Sequence, residues 1–193
     1  MMRMLSYLII AGCLVPMVSF AERPASMLSN TCAGCHGTAG VSAGESTPNL
    51  AGLPSEYFRR TMQQYKSGER YSTIMGRIAR GYSDAEIEAM AVFFEKQKWF
   101  STAPKLEPKL IARGQELHES QCARCHLGDG LYAEYRLPRI AGQWPDYLLV
   151  YLKNAKMSKS KFKQPQPRLM KESLEALTES DLAALAQFYA SQQ

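Results

Sequence analysis

The chain has 193 residues and a formal net charge of +5. Each of its halves is short for a domain that must build a hydrophobic core from side chains alone. The sequence holds no Ser/His/Asp set, phosphate-binding loop or metal-binding carboxylate cluster, which argues against an enzyme acting on its own. It also holds no nucleic-acid recognition motif, so we expect no nucleic-acid partner.

Residues 1–21 are predicted to be a cleaved signal peptide. Arg3 supplies the positive charge, an apolar run follows, and Ser19-Phe20-Ala21 offers small residues to a signal peptidase. The apolar run is too short for a transmembrane helix, so we expect no stable membrane span. The mature chain would then begin at Glu22. Processing as a lipoprotein at Cys13 stays open as an alternative, because Ile10-Ala11-Gly12-Cys13 resembles a lipoprotein processing site.

Two Cys-x-x-Cys-His motifs follow, at residues 32–36 and 122–126. This spacing is typical of covalent c-type haem attachment, in which both cysteines form thioethers with the haem. The adjacent histidine is then the proximal ligand of the iron. A redox dithiol or part of a zinc site fits less well, because zinc sites close paired knuckles on one metal. The sequence therefore predicts two covalent haem c groups.

The predicted site residues follow directly from these motifs. The haem thioethers are assigned to Cys32, Cys35, Cys122 and Cys125, and the proximal iron ligands to His36 and His126. The fifth cysteine, Cys13, lies in the leader, so no thiol is left for a structural disulfide. Because c-type haem is attached on the periplasmic side in bacteria, the motifs and the leader both predict a periplasmic protein.

The fold is predicted to be all-α, with two tandem cytochrome c-like domains that repeat each other. The domains are assigned to residues 22–100 and 109–193, and residues 101–108, which contain two prolines, form the linker. A haem would supply the apolar centre around which a few short helices pack.

The repeat appears as residues in a common register after each haem histidine. A proline comes first, then an Ala-Gly pair, then a tyrosine on a predicted helix. The members are Pro48, Ala51-Gly52 and Tyr57 in the first half, and Pro138, Ala141-Gly142 and Tyr147 in the second.

Each half is predicted to end in an amphipathic helix opened by a capping box, at Ser83 and at Thr178. The second box has Asp181 where Glu is more usual. The apolar positions recur at helical spacing in both helices. They are Ile87, Met90, Ala91 and Phe94, matched by Leu182, Leu185, Ala186 and Tyr189.

A methionine lies at the same distance before each of these caps, in a segment predicted to be a loop. Met75 and Met170 are therefore the predicted sixth ligands of the first and second haem irons. Met157 remains an alternative for the second iron. Other methionines, such as Met62, fall on helical faces, where methionine usually fills the core.

His118 is expected to be a solvated surface residue, because it lies on a polar helix and has no counterpart in the first half.

Histidine and methionine ligation would fix the chemistry of both irons. The soft thioether favours Fe(II) and raises the reduction potential. With both axial positions filled, no position remains for oxygen or a small substrate. This ligation indicates electron transfer rather than catalysis at the haem.

The sequence resembles dihaem cytochromes of the cytochrome c4 type. Three longer strings, at residues 72–83, 141–144 and 188–193, resemble more specifically the cytochrome subunit of flavocytochrome c sulfide dehydrogenase. This resemblance implies a separate FAD-containing subunit that oxidises sulfide, with the FAD on that partner. The present chain would accept the electrons and pass them to a soluble acceptor such as a small cytochrome.

Two other functions stay open. The chain could be a free cytochrome c4-type carrier serving a terminal oxidase, or a haem enzyme or sensor with a labile methionine.

Residues 153–171 contain seven basic side chains and no acidic one. They form either a solvated loop or a docking patch for an acidic redox partner near the second haem. In the latter case the nearly neutral N-terminal domain would pack on the flavin subunit.

Overall fold

The computed structural model describes residues 23–101, 104–135, 137–157 and 167–193. Within these ranges the protein is helical, with a single isolated bridge between Glu134 and Leu137 and no sheet. The predicted all-α class is therefore confirmed. Among the described helices, none combines the length and the apolar content needed to cross a bilayer.

Several predicted features lie outside the described residues. These are the leader with Cys13, two residues of the linker, and the centre of the basic stretch with Lys159, Lys161 and Lys163.

The two halves have corresponding elements. The first half contains α1 (Ala25–Asn30), α2 (Ala33–His36), α3 (Ser55–Ser67), α4 (Met75–Ala79) and α5 (Asp84–Glu95). The second contains α6 (Pro108–Leu117), a π-helical turn (His118–Cys122), α7 (Pro145–Lys156), α8 (Arg168–Ala176) and α9 (Glu179–Ser191). Short 3-10 turns at Thr38–Gly40 and Gly128–Gly130 follow the two haem motifs.

Both predicted capping boxes are confirmed. Ser83 Oγ accepts a hydrogen bond from the backbone N–H of Glu86 at 3.2 Å, and the Glu86 carboxylate accepts one from the N–H of Ser83 at 2.8 Å. Thr178 and Asp181 form the same reciprocal pair at 3.2 and 3.0 Å. The shorter aspartate therefore satisfies the free N–H groups at the start of α9 as glutamate does for α5.

Each half has its own hydrophobic core. All eight apolar positions predicted on α5 and α9 are buried, and Met62 is buried on α3. The first core is built from α1, α3 and α5 and includes Leu28, Phe58, Ile87 and Phe94. The second is built from α6, α7 and α9 and includes Leu117, Leu148, Leu182 and Phe188.

The proline loop is fixed to the last helix in the same way in both halves. The backbone N–H of Gly52 donates to the Phe94 carbonyl at 2.8 Å, and the N–H of Gly142 donates to the Tyr189 carbonyl at 2.8 Å. Both glycines adopt positive φ angles, of 67° and 72°, which glycine tolerates without strain. The repeat visible in the sequence is therefore also a repeat of backbone conformation.

The halves meet where the loop after the first haem motif contacts the start of α7. The Gln143 side chain accepts from the N–H of Asn49 at 2.9 Å and donates to its carbonyl at 3.4 Å. The Trp144 indole donates to the Ser42 carbonyl at 3.1 Å, and the N–H of Tyr147 donates to the Glu45 carbonyl at 3.1 Å. These bonds hold the proline loop of one half against that of the other.

The tight packing of α6 against α9 gives a first prediction. A Cβ at Gly114 of α6 would lie 2.2 Å from the Ala184 carbonyl oxygen and 2.5 Å from the Phe188 Cβ of α9. We expect Gly114→Ala to destabilise the holoprotein by about 1–3 kcal/mol, because the two helices must separate. Urea unfolding measures this free energy. Gly44→Ala, with no neighbour closer than 3.8 Å, is the control. Equal stability of the two variants would contradict the packing.

The second capping box predicts an acid-dependent loss of stability. The hydrogen bonds from Thr178, together with Arg113, lower the pKa of Asp181 from 3.8 to about 2. A carboxyl with a lowered folded-state pKa stabilises the fold above its ordinary pKa, and this contribution is lost as the pH falls towards 2. Asp181→Asn is expected to cost about 1 kcal/mol at neutral pH.

The test compares the unfolding free energies of Asp181→Asn and the parent protein between neutral pH and pH 2. The difference should shrink as the pH falls below about 4. Glu116→Gln is the matched control, because Glu116 also contacts Arg113 but lies outside the cap. A difference that does not change with pH would show that the carboxylate charge is not involved.

Candidate functional site

Both Cys-x-x-Cys-His motifs form one tight helical turn. The backbone N–H groups of Cys35 and His36 donate to the Cys32 carbonyl at 3.2 and 2.9 Å. Cys125 and His126 donate to the Cys122 carbonyl at 3.1 and 2.9 Å. The first cysteine of each motif is half-buried and the second is exposed. The four thiols are not joined in disulfides, so each is free to form a thioether.

The histidine of the first motif is held in the tautomer that a metal ligand needs. His36 is buried, and its Nδ1–H donates to the Pro48 carbonyl at 2.9 Å. This bond leaves the lone pair on Nε2, the atom that can bind iron, and fixes the orientation of the ring. Burial lowers the pKa of His36, which keeps the imidazole neutral.

His126 is the counterpart in the second motif. Burial, and to a lesser extent His118, lower its pKa to about 4, so this ring is also neutral at physiological pH. Its centroid lies 6.2 Å from that of Tyr189, which belongs to α9. His126 therefore lies beside the final helix of its own half.

The two predicted methionine ligands lie on short helices rather than in loops, so that part of the prediction is wrong. Met75 is the first residue of α4 and Met170 is the third residue of α8. Each is half-buried and packs against the core of its own half. Cys122 packs against the same core as Met170. Met157, the alternative for the second iron, lies at the end of α7 and is 51% exposed. The packing therefore favours Met170.

The expectation that His118 is a solvated surface residue is wrong. Its side chain is 2% exposed and lies between α9 and the turn that follows the second haem motif. The Tyr189 hydroxyl lies 3.0 Å from Nδ1, and an Asp129 carboxylate oxygen lies 3.3 Å from Nε2. The local sequence around His118 is polar, so only the distant Tyr189 explains its burial.

Sequence reasoning also missed a buried cation between the halves. Arg70 is 6% exposed, and its guanidinium lies 5.0 Å from the Tyr65 ring and 5.3 Å from the ring of Tyr151. Its Nε–H is buried with no acceptor among the described residues, and the same holds for the indole N–H of Trp99. Nothing in the local sequence marks either donor as buried.

These residues fit the haem groups that the motifs imply. A c-type haem requires free cysteine thiols for its covalent attachment. It also requires a neutral imidazole and, in this ligation, a methionine sulfur for its iron. The unpaired N–H groups of Arg70 and Trp99 are suited to carboxylate acceptors, which a haem carries on its propionates. The fit thus rests on the donor set and on these two buried, unsatisfied groups.

The basic stretch is partly described. Lys153 pairs with Glu179 at 2.9 Å, Arg168 pairs with Glu172 at 2.7 Å, and the Lys156 ammonium donates to the Leu177 carbonyl. Lys153, Lys156 and Arg168 are therefore engaged within the protein. The three lysines at its centre lie outside the described residues, so a docking role stays a prediction.

Comparison with known proteins gives one family. The family model for cytochrome c matches residues 21–98 and 111–193. A thiosulfate dehydrogenase electron acceptor from Stutzerimonas stutzeri (strain A1501) is 30% identical over 177 residues, which are 86% of this chain and 80% of that protein. The cytochrome subunit of sulfide dehydrogenase from Chlorobaculum tepidum is 42% identical, but over 73 residues, which are 38% of this chain and 66% of that protein.

A solved structure shares the fold. The reduced recombinant cytochrome c4 from Pseudomonas stutzeri superimposes with a TM-score of 0.76 at 23% identity, over 88% of this chain and 98% of that one. The predicted arrangement of two cytochrome c-like domains in one all-helical chain is therefore confirmed. The resemblance to the sulfide dehydrogenase subunit is supported over part of the chain only.

The packing of the methionines predicts which of them binds the second iron. Met170→Ala should remove the contribution of the second haem to the methionine–iron charge-transfer band of the oxidised protein. Met157→Ala is the control and should leave the band unchanged, because Met157 is exposed. The visible absorption spectrum of the oxidised holoprotein measures both. Loss of intensity in Met157→Ala alone would assign the ligand to Met157.

Proposed function

We propose that this chain, which belongs to the cytochrome c family, is a periplasmic dihaem electron carrier that receives electrons from a sulfur-oxidising dehydrogenase. Membership of the family follows from the match of its model to both halves. The observation that carries the proposal is a duplicated arrangement: in each half, the first cysteine of a Cys-x-x-Cys-His turn and a half-buried methionine pack against the same hydrophobic core.

In the proposed sites His36 and Met75 are the axial ligands of one haem iron, and His126 and Met170 those of the other. The thioethers are formed by Cys32, Cys35, Cys122 and Cys125. When bound, each haem supplies an iron that changes oxidation state by one electron. Each methionine packs against the core of its own half, and each histidine lies in the hydrogen-bonded turn of its motif, so the donors would stay in place in both oxidation states. Small structural change on oxidation favours rapid electron transfer.

The proposed donor is a flavoprotein sulfide dehydrogenase subunit, which would carry the FAD. The match to the sulfide dehydrogenase cytochrome subunit of Chlorobaculum tepidum supports this donor, at 42% identity over 73 residues. The proposed acceptor is a small soluble cytochrome. In such a complex the present chain transfers electrons and performs no chemistry on sulfide itself.

A second candidate donor is a thiosulfate dehydrogenase. The relative that supports it is less identical, at 30%, but it aligns over 177 residues and therefore includes both halves. Both donors oxidise inorganic sulfur compounds, so the two candidates differ in the enzyme that docks and not in the chemistry of the haems. A free carrier of the cytochrome c4 type serving a terminal oxidase remains the third candidate.

Two experiments test the haem content and the donor in turn. Mass spectrometry after acid–acetone extraction should show two haems retained on the mature chain. Cys122→Ala/Cys125→Ala should retain one, and so should Cys32→Ala/Cys35→Ala. One haem or none on the parent chain would contradict the dihaem carrier.

The donor is then identified by anaerobic mixing of the oxidised holoprotein with each candidate enzyme. The proposal expects rapid growth of the reduced haem bands with sulfide and the flavoprotein subunit, compared with sulfide alone. Reduction only with thiosulfate and a thiosulfate dehydrogenase would support the second candidate. Reduction by neither enzyme would contradict a sulfur-oxidising donor.

A further inference from the structure

A buried polar pair distinguishes the second site from the first. His118 lies four residues before Cys122, where the first half has Leu28 before Cys32. Tyr189 lies on α9 where α5 has Phe94. The first half therefore has two apolar side chains at these positions, and both are buried at about 1% exposure. The second half has an imidazole and a phenol that are hydrogen-bonded at 3.0 Å.

Asp129 completes a chain of three polar groups. It lies three residues after His126, where the first half has Ala39, and both residues adopt a positive φ near 55°. Its carboxylate lies 3.3 Å from His118 Nε2. Since a carboxylate can only accept, Nε2 carries the proton of the neutral imidazole, and Nδ1 accepts from the Tyr189 hydroxyl. Burial lowers the pKa of His118, which agrees with a neutral ring.

The direction of these hydrogen bonds sets the sign of the electric field. The Tyr189 O–H points towards His118, and the His118 N–H points towards Asp129. The lone pairs of the Tyr189 oxygen therefore point away from Asp129. That oxygen also lies close to Cys122, the expected thioether residue, and the Tyr189 ring centroid lies 6.2 Å from that of His126. The negative end of the Tyr189 hydroxyl dipole, which His118 orients, therefore faces the second haem site. In a buried environment such dipoles act at higher strength than in water.

We propose that His118 and Tyr189 are positioning residues that lower the reduction potential of the haem held by His126. The inference rests on the proposed dihaem function and deepens it. Negative dipole ends stabilise the additional positive charge of Fe(III), so they disfavour reduction. At the two corresponding positions the first half has Leu28 and Phe94, whose side chains present only carbon and hydrogen atoms.

The repeat supplies variants for both directions of the test. Tyr189→Phe removes one oxygen, and His118→Leu installs the residue of the first half. Each should raise the midpoint potential of the haem held by His126 and leave that of the haem held by His36 unchanged. The triple variant Leu28→His/Phe94→Tyr/Ala39→Asp should lower the midpoint potential of the haem held by His36. Tyr132→Phe, whose hydroxyl donates to Glu134 at the surface, is the control and should shift neither potential.

Protein-film voltammetry of the holoprotein measures both potentials, and the visible spectrum confirms that both haems keep methionine ligation. A rise in one potential in both Tyr189→Phe and His118→Leu supports the proposal. Unchanged potentials in a Tyr189→Phe protein that retains both haems would overturn it, even if the protein is less stable. Absence of a second redox-active haem in the parent protein would instead overturn the proposed function. Because Tyr189→Phe preserves the ring and its packing, it keeps the test available if the triple variant does not fold.

Discussion

The hydrogen bond between the proline loop and the final helix is the constraint on which each half depends. Gly52 donates to Phe94, and Gly142 donates to Tyr189, at the same distance of 2.8 Å. In the first half this bond anchors the loop whose Pro48 carbonyl holds the His36 ring. The final helix thus positions the proximal histidine through the backbone, while its side chains form the core. The orientation of the His36 ring is thereby fixed by hydrogen bonds to backbone carbonyls.

Local sequence signals predicted much of this arrangement. The Cys-x-x-Cys-His turns, the two capping boxes and the apolar faces of α5 and α9 all depend on residues close together in the chain, so their pattern was visible directly. The common register of the halves added the proline loops. Met75 and Met170 were predicted to lie in loops, because the short helices α4 and α8 carry no strong capping signal in the sequence.

The features that sequence reasoning missed depend on distant residues. His118 lies in a polar segment, and its burial requires Tyr189, which is 71 residues away. Arg70 is buried because tyrosines from both halves surround it. In both cases a polar side chain is tolerated inside the protein because a partner from another helix compensates for its lost hydration. Such compensation cannot be inferred from spacing along one segment.

The central claim is that each half holds one haem iron between its own histidine and its own methionine. The most direct measurement is an anomalous difference map from a crystal of the holoprotein, collected at the iron absorption edge. The account predicts two iron peaks, one between His36 and Met75 and the other between His126 and Met170. A single peak, or a second iron bound by Met157 or lacking a methionine ligand, would contradict it.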